Sequence, residues 1–286
     1  MKNLLYDTGV VRPRRLARPV VSIGNLALGG TGKTPVGLYL FERLSDAGWK
    51  PSVLMRGYST GRLSDEAILY RMKLPAGAVY VGADRWTSGR QAEADGRDIH
   101  ILDDGYQHRQ LHRDSDVLLI DCSNPWGSGM WLREGVESIR RATIVLLTRF
   151  DAASPLDSGL ARALPANVPT FRARFVPTVD LGGRAVFAFC GIGNPGAFLR
   201  TVEQANGRLA GHNSFNDHHE YTEGDLAAIR ETAERCGAQE IYTTEKDLVR
   251  ISAETASRLG IHALPIRTEV EEGFVQAVVE QIGGRR

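Results

Sequence analysis

The segment Ala27-Leu28-Gly29-Gly30-Thr31-Gly32-Lys33-Thr34 constrains this chain more than any other. It has the spacing G-x-x-x-x-G-K-[ST], with alanine at the first position, and its flanks fit the pattern. A short β-branched run, Pro19 to Ile23, precedes it, and a helix is predicted from Lys33 to Ala47. Val36, Leu40 and Leu44 form one face of that helix, and Gly48 ends it. Glycines let backbone N–H groups converge on one point, and a helix N-terminus adds partial positive charge there, so this strand–loop–helix is a seat for phosphate. Lys33 is placed to reach the β- and γ-phosphates of ATP, and Thr34 to offer its hydroxyl to Mg2+.

The rest of the chain alternates in the same way. Ser52 to Met55, Val79 to Val81, Ile99 to Asp103, Val117 to Asp121 and Thr143 to Leu147 are short apolar runs. Between them, one helix is expected to start near Ser64, and another, capped by Asp84, to run toward Gly96. This order implies an α/β fold, a P-loop NTPase-type, mostly parallel sheet with helices on both faces. Residues 1–150 are expected to form the nucleotide-binding domain. Pro155, Pro165, Pro169 and Pro177 crowd the next stretch, so residues 151–180 read as a linker. Residues 181–286 read as a smaller α/β domain completing an active-site cleft. Its predicted elements are a strand at Arg184 to Phe189 and a helix at Pro195 to Gln204, then a helix boxed by Thr222 and Asp225 that ends near Cys236. Strands at Ile241 to Thr244 and Ile261 to Ile266 follow, with a last helix from about Glu271.

Composition narrows the partners. With 35 Lys and Arg against 34 Asp and Glu, the net charge of +1 supplies no field that would favour nucleic acid. The three cysteines are scattered and lack C-x-x-C spacing, which argues against a disulfide framework or zinc site and fits a reducing cytoplasm. No stretch reaches the ~18 apolar residues of a spanning helix, so any membrane contact is expected to be peripheral. Arg12, Arg14, Arg15 and Arg18 crowd the N-terminal segment, either as a solvated arm or as a patch for an anionic membrane surface or lipid headgroup. No obligate protein partner is evident.

Further motifs carry chemistry. Asp103 and Asp104 stand at the end of an apolar run, where open α/β sheets bind ligands, and one of them can hold Mg2+. Asp65 and Glu66 are either dipole-stabilising residues of a first helical turn or candidates for the carboxylate that takes a proton from an acceptor hydroxyl. Asn216-Asp217-His218-His219-Glu220 offers a metal cluster or, more naturally, a loop-borne acid–base histidine. His108 and His112 could clamp a metal if their segment were helical. Gly191-Ile192-Gly193-Asn194-Pro195-Gly196 matches a dinucleotide pattern literally, but the acid expected after the next strand is missing, so it reads as a tight strand–helix turn.

Taken in order, these residues resemble the tetraacyldisaccharide 4'-kinase (lipid A 4'-kinase) family over nearly the whole chain. The resemblance rests on Val21-Ser22-Ile23-Gly24-Asn25 before the loop, Arg56-Gly57-Tyr58, Asp65-Glu66, Asp84-Arg85 and Asp103-Asp104-Gly105-Tyr106-Gln107-His108. It continues through Leu132-Arg133-Glu134, Gly191-Ile192-Gly193-Asn194-Pro195, Asp217-His218 and Thr244-Glu245-Lys246-Asp247. It implies an ATP- and Mg2+-dependent kinase, peripheral on the cytoplasmic face of a Gram-negative inner membrane, whose partner is the lipid A disaccharide precursor. By matching position it implies Asp65 as catalytic base with His218 as its partner, and Glu66 and Asp103 serving Mg2+ with Thr34. Asp104, Arg85, His108 and Glu134 would line the site. Against the family pattern, the segment before the first strand is short, only Ser59 to Ser64 separates two of the motifs, and Ala67 and Gly135 replace prolines. A kinase for a soluble sugar or metabolite, or a nucleotide-hydrolysing switch, are the competing functions.

Overall fold

The computed structural model describes residues 6, 10–27, 29–59, 62–127, 132–150 and 156–283. The chain divides into two compact units, Met1–Arg174 with Val270–Arg286, and Phe175–Glu269.

The first unit is built on strands whose residues are apolar on both faces. β1 (Val20–Asn25), β2 (Pro51–Met55), β6 (Ile99–Asp103), β7 (Ser115–Asp121) and β8 (Ile144–Thr148) are buried along their whole length. Such runs suit the middle of a parallel sheet, which is covered on both sides. With β5 (Val79–Val81), β9 (Thr170–Pro177) and β14 (Ile266–Val270) they form an eight-stranded sheet in the order β14-β9-β8-β7-β1-β6-β2-β5. β1 lies parallel to both β6 and β7. Helix α1 (Lys33–Asp46) follows β1 and buries Val36, Gly37, Leu40, Phe41 and Leu44, the predicted face widened by two residues. A short antiparallel pair, β3 (Tyr58–Ser59) and β4 (Arg62–Leu63), leads into α2 (Asp65–Lys73), whose N-cap Ser64 accepts the Ala67 N–H. Asp84 caps α3 (Arg85–Ala94) as predicted.

The second unit repeats the principle at smaller size. β10 (Ala185–Cys190) is buried throughout and lies at the centre of a parallel sheet ordered β11-β10-β12-β13, with β11 at Arg208–Ser214, β12 at Glu240–Thr243 and β13 at Ile261–Ala263. Alternation along β10 sorts its side chains between two layers. Val186, Ala188 and Cys190 cluster with Phe198 and Val202 of α5 (Pro195–Gln204). Phe187 and Phe189 cluster with Leu226 and Ile229 of α6 (Glu223–Arg235). The Thr222–Asp225 capping box is formed in full.

Three expectations are corrected. Residues 151–180 are not a linker, because α4 (Ser158–Ala163) and β9 lie within them, and Leu160 and Ala173 are buried. Pro155 lies outside the described residues, and the other three prolines mark edges instead: Pro165 follows α4, Pro169 precedes β9 and Pro177 ends it, positions that need no ladder donor. The run Ile261 to Ile266 is two strands, since Pro265 cannot donate to the ladder that would join β13 to β14. The last helix, α9 (Phe274–Gln281), belongs to the first unit rather than to a domain spanning 181–286. Its Phe274 is buried and meets the Phe171 ring edge-on at 5.7 Å.

One polar pair lies deep in the first sheet. Ser52 Oγ and His100 Nδ1 are 2.7 Å apart on neighbouring positions of β2 and β6, and both residues are fully buried. Burial pushes His100 down to about 4, more than the Glu93 carboxylate nearby raises it. The folded protein therefore resists protonating this ring while the unfolded chain, near 6.5, accepts the proton. Stability contributed by the neutral ring is present above the unfolded value and is lost as pH falls from about 6.5 toward 4. Between pH 7 and pH 5 this amounts to about 2 kcal/mol. Urea unfolding at the two pH values should show that loss in the wild type and a markedly smaller one in His100→Asn. Equal losses would show that His100 is not the group responsible.

Candidate active site

The glycine-rich loop runs from the end of β1 to the start of α1. Gly29 and Gly32 have φ of 119° and 92°, a conformation that glycine adopts without strain. Gly32 is the N-cap of α1 and supplies no side-chain cap, so the first N–H groups of the helix are left for a ligand. Ala27 and Thr31 are buried, and Gly30 and Thr34 are partly exposed. Leu28 lies outside the described residues. The loop is braced from two sides: Thr148 Oγ1 donates to the Thr31 carbonyl at 2.9 Å, and Asn25 Nδ2 donates to the Ala27 carbonyl at 2.7 Å. Lys33 Nζ donates to Asn25 Oδ1 at 3.1 Å and lies 3.5 Å from Asp104 Oδ1.

Asp103 and Asp104 leave β6 side by side into unlike surroundings. Asp103 is buried, and its Oδ1 accepts no hydrogen bond. Burial pushes its carboxyl up to about 7, helped by the charges of Asp104 and Glu66 and opposed by Lys33. Asp104 turns through a left-handed φ of 52° and receives Arg133 Nη1 at 2.7 Å. Burial acts upward on Asp104 as well, but Lys33 and Arg133 outweigh it and hold the carboxyl below its usual range. Glu66, on the first turn of α2, also acts on Tyr70, whose buried hydroxyl is pushed well above its ordinary value by burial and then by Asp103 and Glu66. Asp65 is the first residue of α2 and is partly buried.

Arg85 opens α3 and donates from Nη1 to the Ala83 carbonyl at 2.8 Å. Its guanidinium is lowered by burial and by the like charge of Arg56, against the pull of Asp104 and Asp103. Arg85 thus belongs to the same electrostatic cluster as the Asp103–Asp104 pair. His108 follows β6 in a turn, its N–H donating to the Gly105 carbonyl at 2.8 Å. That segment is not helical, so His108 and His112 do not form an i, i+4 clamp, and His112 instead lies 3.5 Å from Asp114. Glu134 is paired with Arg141, whose guanidinium also covers the Tyr106 ring at 4.8 Å. Its neighbour Arg133 is the residue of that motif that reaches Asp104. Arg133 and Asn25 are the participants that reasoning from sequence left without a role. The signal for both was present in the family motifs, but nothing in their spacing says that one orients Lys33 and the other Asp104.

His218 belongs to the second unit, and Asp65 to the first. His218 and His219 part company in the loop after β11. His219 is anchored: it stacks on Phe215 at 4.5 Å, and its Nε2 is 3.1 Å from Asp225 Oδ2. His218 is half exposed, with φ of 63°, and its Nε2 is 3.3 Å from Lys246 Nζ. Among the described residues no three His, Cys, Asp or Glu side chains converge on a metal position, so the Asn216–Glu220 segment is not a metal cluster.

The arrangement has the donors that a nucleotide and Mg2+ require. A left-handed glycine loop at a helix N-terminus, beside an oriented lysine, fits a polyphosphate. The orphaned Asp103 Oδ1 fits a cation, and Mg2+ characteristically takes one or two carboxylates together with substrate phosphates rather than an all-protein cage.

The comparisons with known proteins point to one family. The family model described as LpxK, tetraacyldisaccharide-1-P 4'-kinase, matches residues 1–283. A tetraacyldisaccharide 4'-kinase of Anaeromyxobacter sp. (strain K) is 37% identical over 312 residues, covering 95% of this chain and 82% of that protein. One from Syntrophus aciditrophicus (strain SB) is 34% identical over 332 residues, covering 99% and 89%. Among solved structures, LpxK from Aquifex aeolicus in complex with ATP superimposes with a TM-score of 0.72 at 27% identity, covering 98% of this chain and 94% of that one. On these matches, the chain belongs to the tetraacyldisaccharide-1-P 4'-kinase family.

Proposed function

We propose that this chain is an ATP- and Mg2+-dependent kinase that transfers the γ-phosphate of ATP to the 4'-hydroxyl of the acylated glucosamine disaccharide 1-phosphate. The observation that carries the reading is the cluster at the ends of β1 and β6, where Lys33 is oriented by Asn25 and Asp104 beside the buried Asp103, whose Oδ1 accepts no hydrogen bond. Lys33 and the N–H groups of the loop supply positive charge where it spreads over the transferring phosphoryl oxygens. Thr34, Glu66 and Asp103 are the residues that would hold Mg2+, which when bound neutralises phosphate charge. Asp65 accepts the proton of the acceptor hydroxyl, with His218 as its partner in carrying the proton away. An isolated carboxylate, with pKa about 4, is a weak base for an alcohol, which is why a partner is needed. Arg85 and His108 are assigned to the lining of the same site. Glu134 is assigned there through its hold on Arg141 rather than by direct contact.

Transfer of labelled phosphate from ATP to the purified disaccharide tests the activity. Phosphorylation of a soluble sugar instead, or ATP hydrolysis indifferent to the lipid, would replace the reading with a metabolite kinase or a switch. Lys33→Ala should lower kcat by about 10²-fold or more, because charge on the transferring group is then unbalanced. Equal turnover at saturating ATP would remove the loop from the mechanism. Asp65→Ala and His218→Ala should each lower kcat by about 10²–10⁴-fold with little change in ATP affinity. The double variant should lose far less than the product of the two, because the residues act as a unit. Multiplicative losses would mean that they act independently.

Membrane contact is proposed to be peripheral and electrostatic. No helix of the described residues is long and apolar enough to cross a membrane. Arg14 is paired with Asp84 at 2.5 Å, and Arg15 lies 3.4 Å from Asp114, so the N-terminal arginines present less net charge than their number suggests. Binding to vesicles containing phosphatidylglycerol should therefore be measurable at low salt and lost at roughly 0.5 M, where screening is short-ranged. Retention at high salt would point to an inserted anchor.

A further inference from the structure

Thr244-Glu245-Lys246-Asp247, after β12, takes no part in the mechanism above, yet its Asp247 belongs to the most deeply buried ion pair of the second unit among the described residues. Asp247 is 0% exposed and the Arg250 side chain 7%, with Nη1 donating to Asp247 Oδ1 at 2.9 Å. The same Oδ1 accepts the Gly191 N–H and the Tyr221 hydroxyl, each at 3.0 Å, while Oδ2 accepts the Thr244 hydroxyl at 2.6 Å. Arg250 Nη1 also donates to the carbonyls of Gly191 and His219, each at 3.3 Å. The Gly191 carbonyl in turn receives the His218 N–H at 3.1 Å. Gly191 leaves little room for a side chain, since a Cβ there would lie 3.1 Å from the Asn216 carbonyl oxygen and 3.2 Å from His219 Cβ. The bonds of this pair therefore reach the loop that carries His218 directly at His219 and Tyr221, and through Gly191 at the His218 N–H.

We infer that Asp247 and Arg250 are positioning residues for His218, holding its backbone in the left-handed conformation that aims its half-exposed ring. A buried charge pair is a poor source of stability, since both ions lose their hydration. Its directional bonds are what an apolar pair could not supply. A histidine with φ of 63° is uncommon, and such a residue persists only where its surroundings over-determine it. Here the over-determination comes from Gly191, gripped at its N–H by Asp247 and at its carbonyl by Arg250. Lys246, next to Asp247 on α7 (Glu245–Leu248), brings its ammonium to the His218 ring from the same element.

The inference rests on the role of His218 proposed above, and the test separates the two. Arg250→Lys keeps the charge but, with its shorter side chain, withdraws the donor from the point where Nη1 serves two carbonyls and a carboxylate together. Phosphate transfer to the disaccharide is measured for Arg250→Lys in the wild-type and His218→Ala backgrounds, with circular dichroism as the check on folding. In the wild-type background kcat should fall about 10–100-fold, the scale of moving a catalytic group by roughly 1 Å, with the KM for ATP unchanged. In the His218→Ala background the same substitution should cost nothing further. Equal losses in both backgrounds would overturn the inference and leave the pair a purely structural one. Wild-type turnover by His218→Ala would instead show that the histidine assignment failed, and the positioning role would fall with it. Should Arg250→Lys not fold, Tyr221→Phe decides in the same cycle. It removes one hydrogen bond to Asp247 and keeps the ring against Phe189 and Phe215.

Discussion

The candidate site depends on how two adjacent carboxylates share the end of β6. Asp103 is buried, which penalises its charge, and its Oδ1 accepts no hydrogen bond. Asp104 turns out through a left-handed backbone angle and meets Lys33 and Arg133. One carboxylate is thus left with an oxygen that accepts no hydrogen bond, and the other holds Lys33 and Arg133. The sheet makes this possible. β1 and β6 are paired in parallel, with Ile23 opposite Asp103, so the loop after one strand and the acids after the other emerge at the same edge.

The support around that edge follows from ordinary packing and hydrogen bonding. Asn25 is the last residue of β1 and is fully buried, so its amide has to be satisfied locally. It donates to the Ala27 carbonyl and accepts from Lys33, while its own carbonyl accepts Gln107 Nε2 at 3.0 Å. The side-chain amide and main-chain carbonyl of this one buried residue therefore tie the loop, the lysine and the segment after β6 together. Tyr106 does comparable work one layer down, with its hydroxyl donating to the Ser138 carbonyl and its ring covered by Arg141. That arrangement accounts for the acid at position 134, which is neutralised by Arg141.

The second unit follows a different logic. Its charges are not gathered at a glycine loop, although Gly191 to Gly196 has the lettering of one. Asn194 caps α5 by accepting the Ala197 N–H, and Pro195 takes the first turn, which uses that helix start for chain direction rather than for a phosphate. Gly191 itself is needed because the His218 loop packs directly on its backbone.

Strand and helix positions were legible in the sequence wherever one local rule dominated: continuous apolar runs for the buried strands, the loop signature before α1, and the caps Ser64, Asp84 and Thr222. Reading failed where the deciding contact was distant. The proline-rich stretch looked like a linker because the partners of its strand, β8 on one side and β14 on the other, are separated from it in sequence. His218 and His219 are equivalent as letters, and Phe215, Tyr221 and Asp225 decide which one is anchored. Residue type and spacing alone determined that the chain carries a phosphate-binding loop, a following pair of aspartates and a family-specific set of motifs, because those features are local in sequence. Only the tertiary structure decided which aspartate is buried, which arginine answers the other and which residues grip the histidine loop. Those outcomes depend on burial and on hydrogen-bond partners that the fold brings together from many residues away.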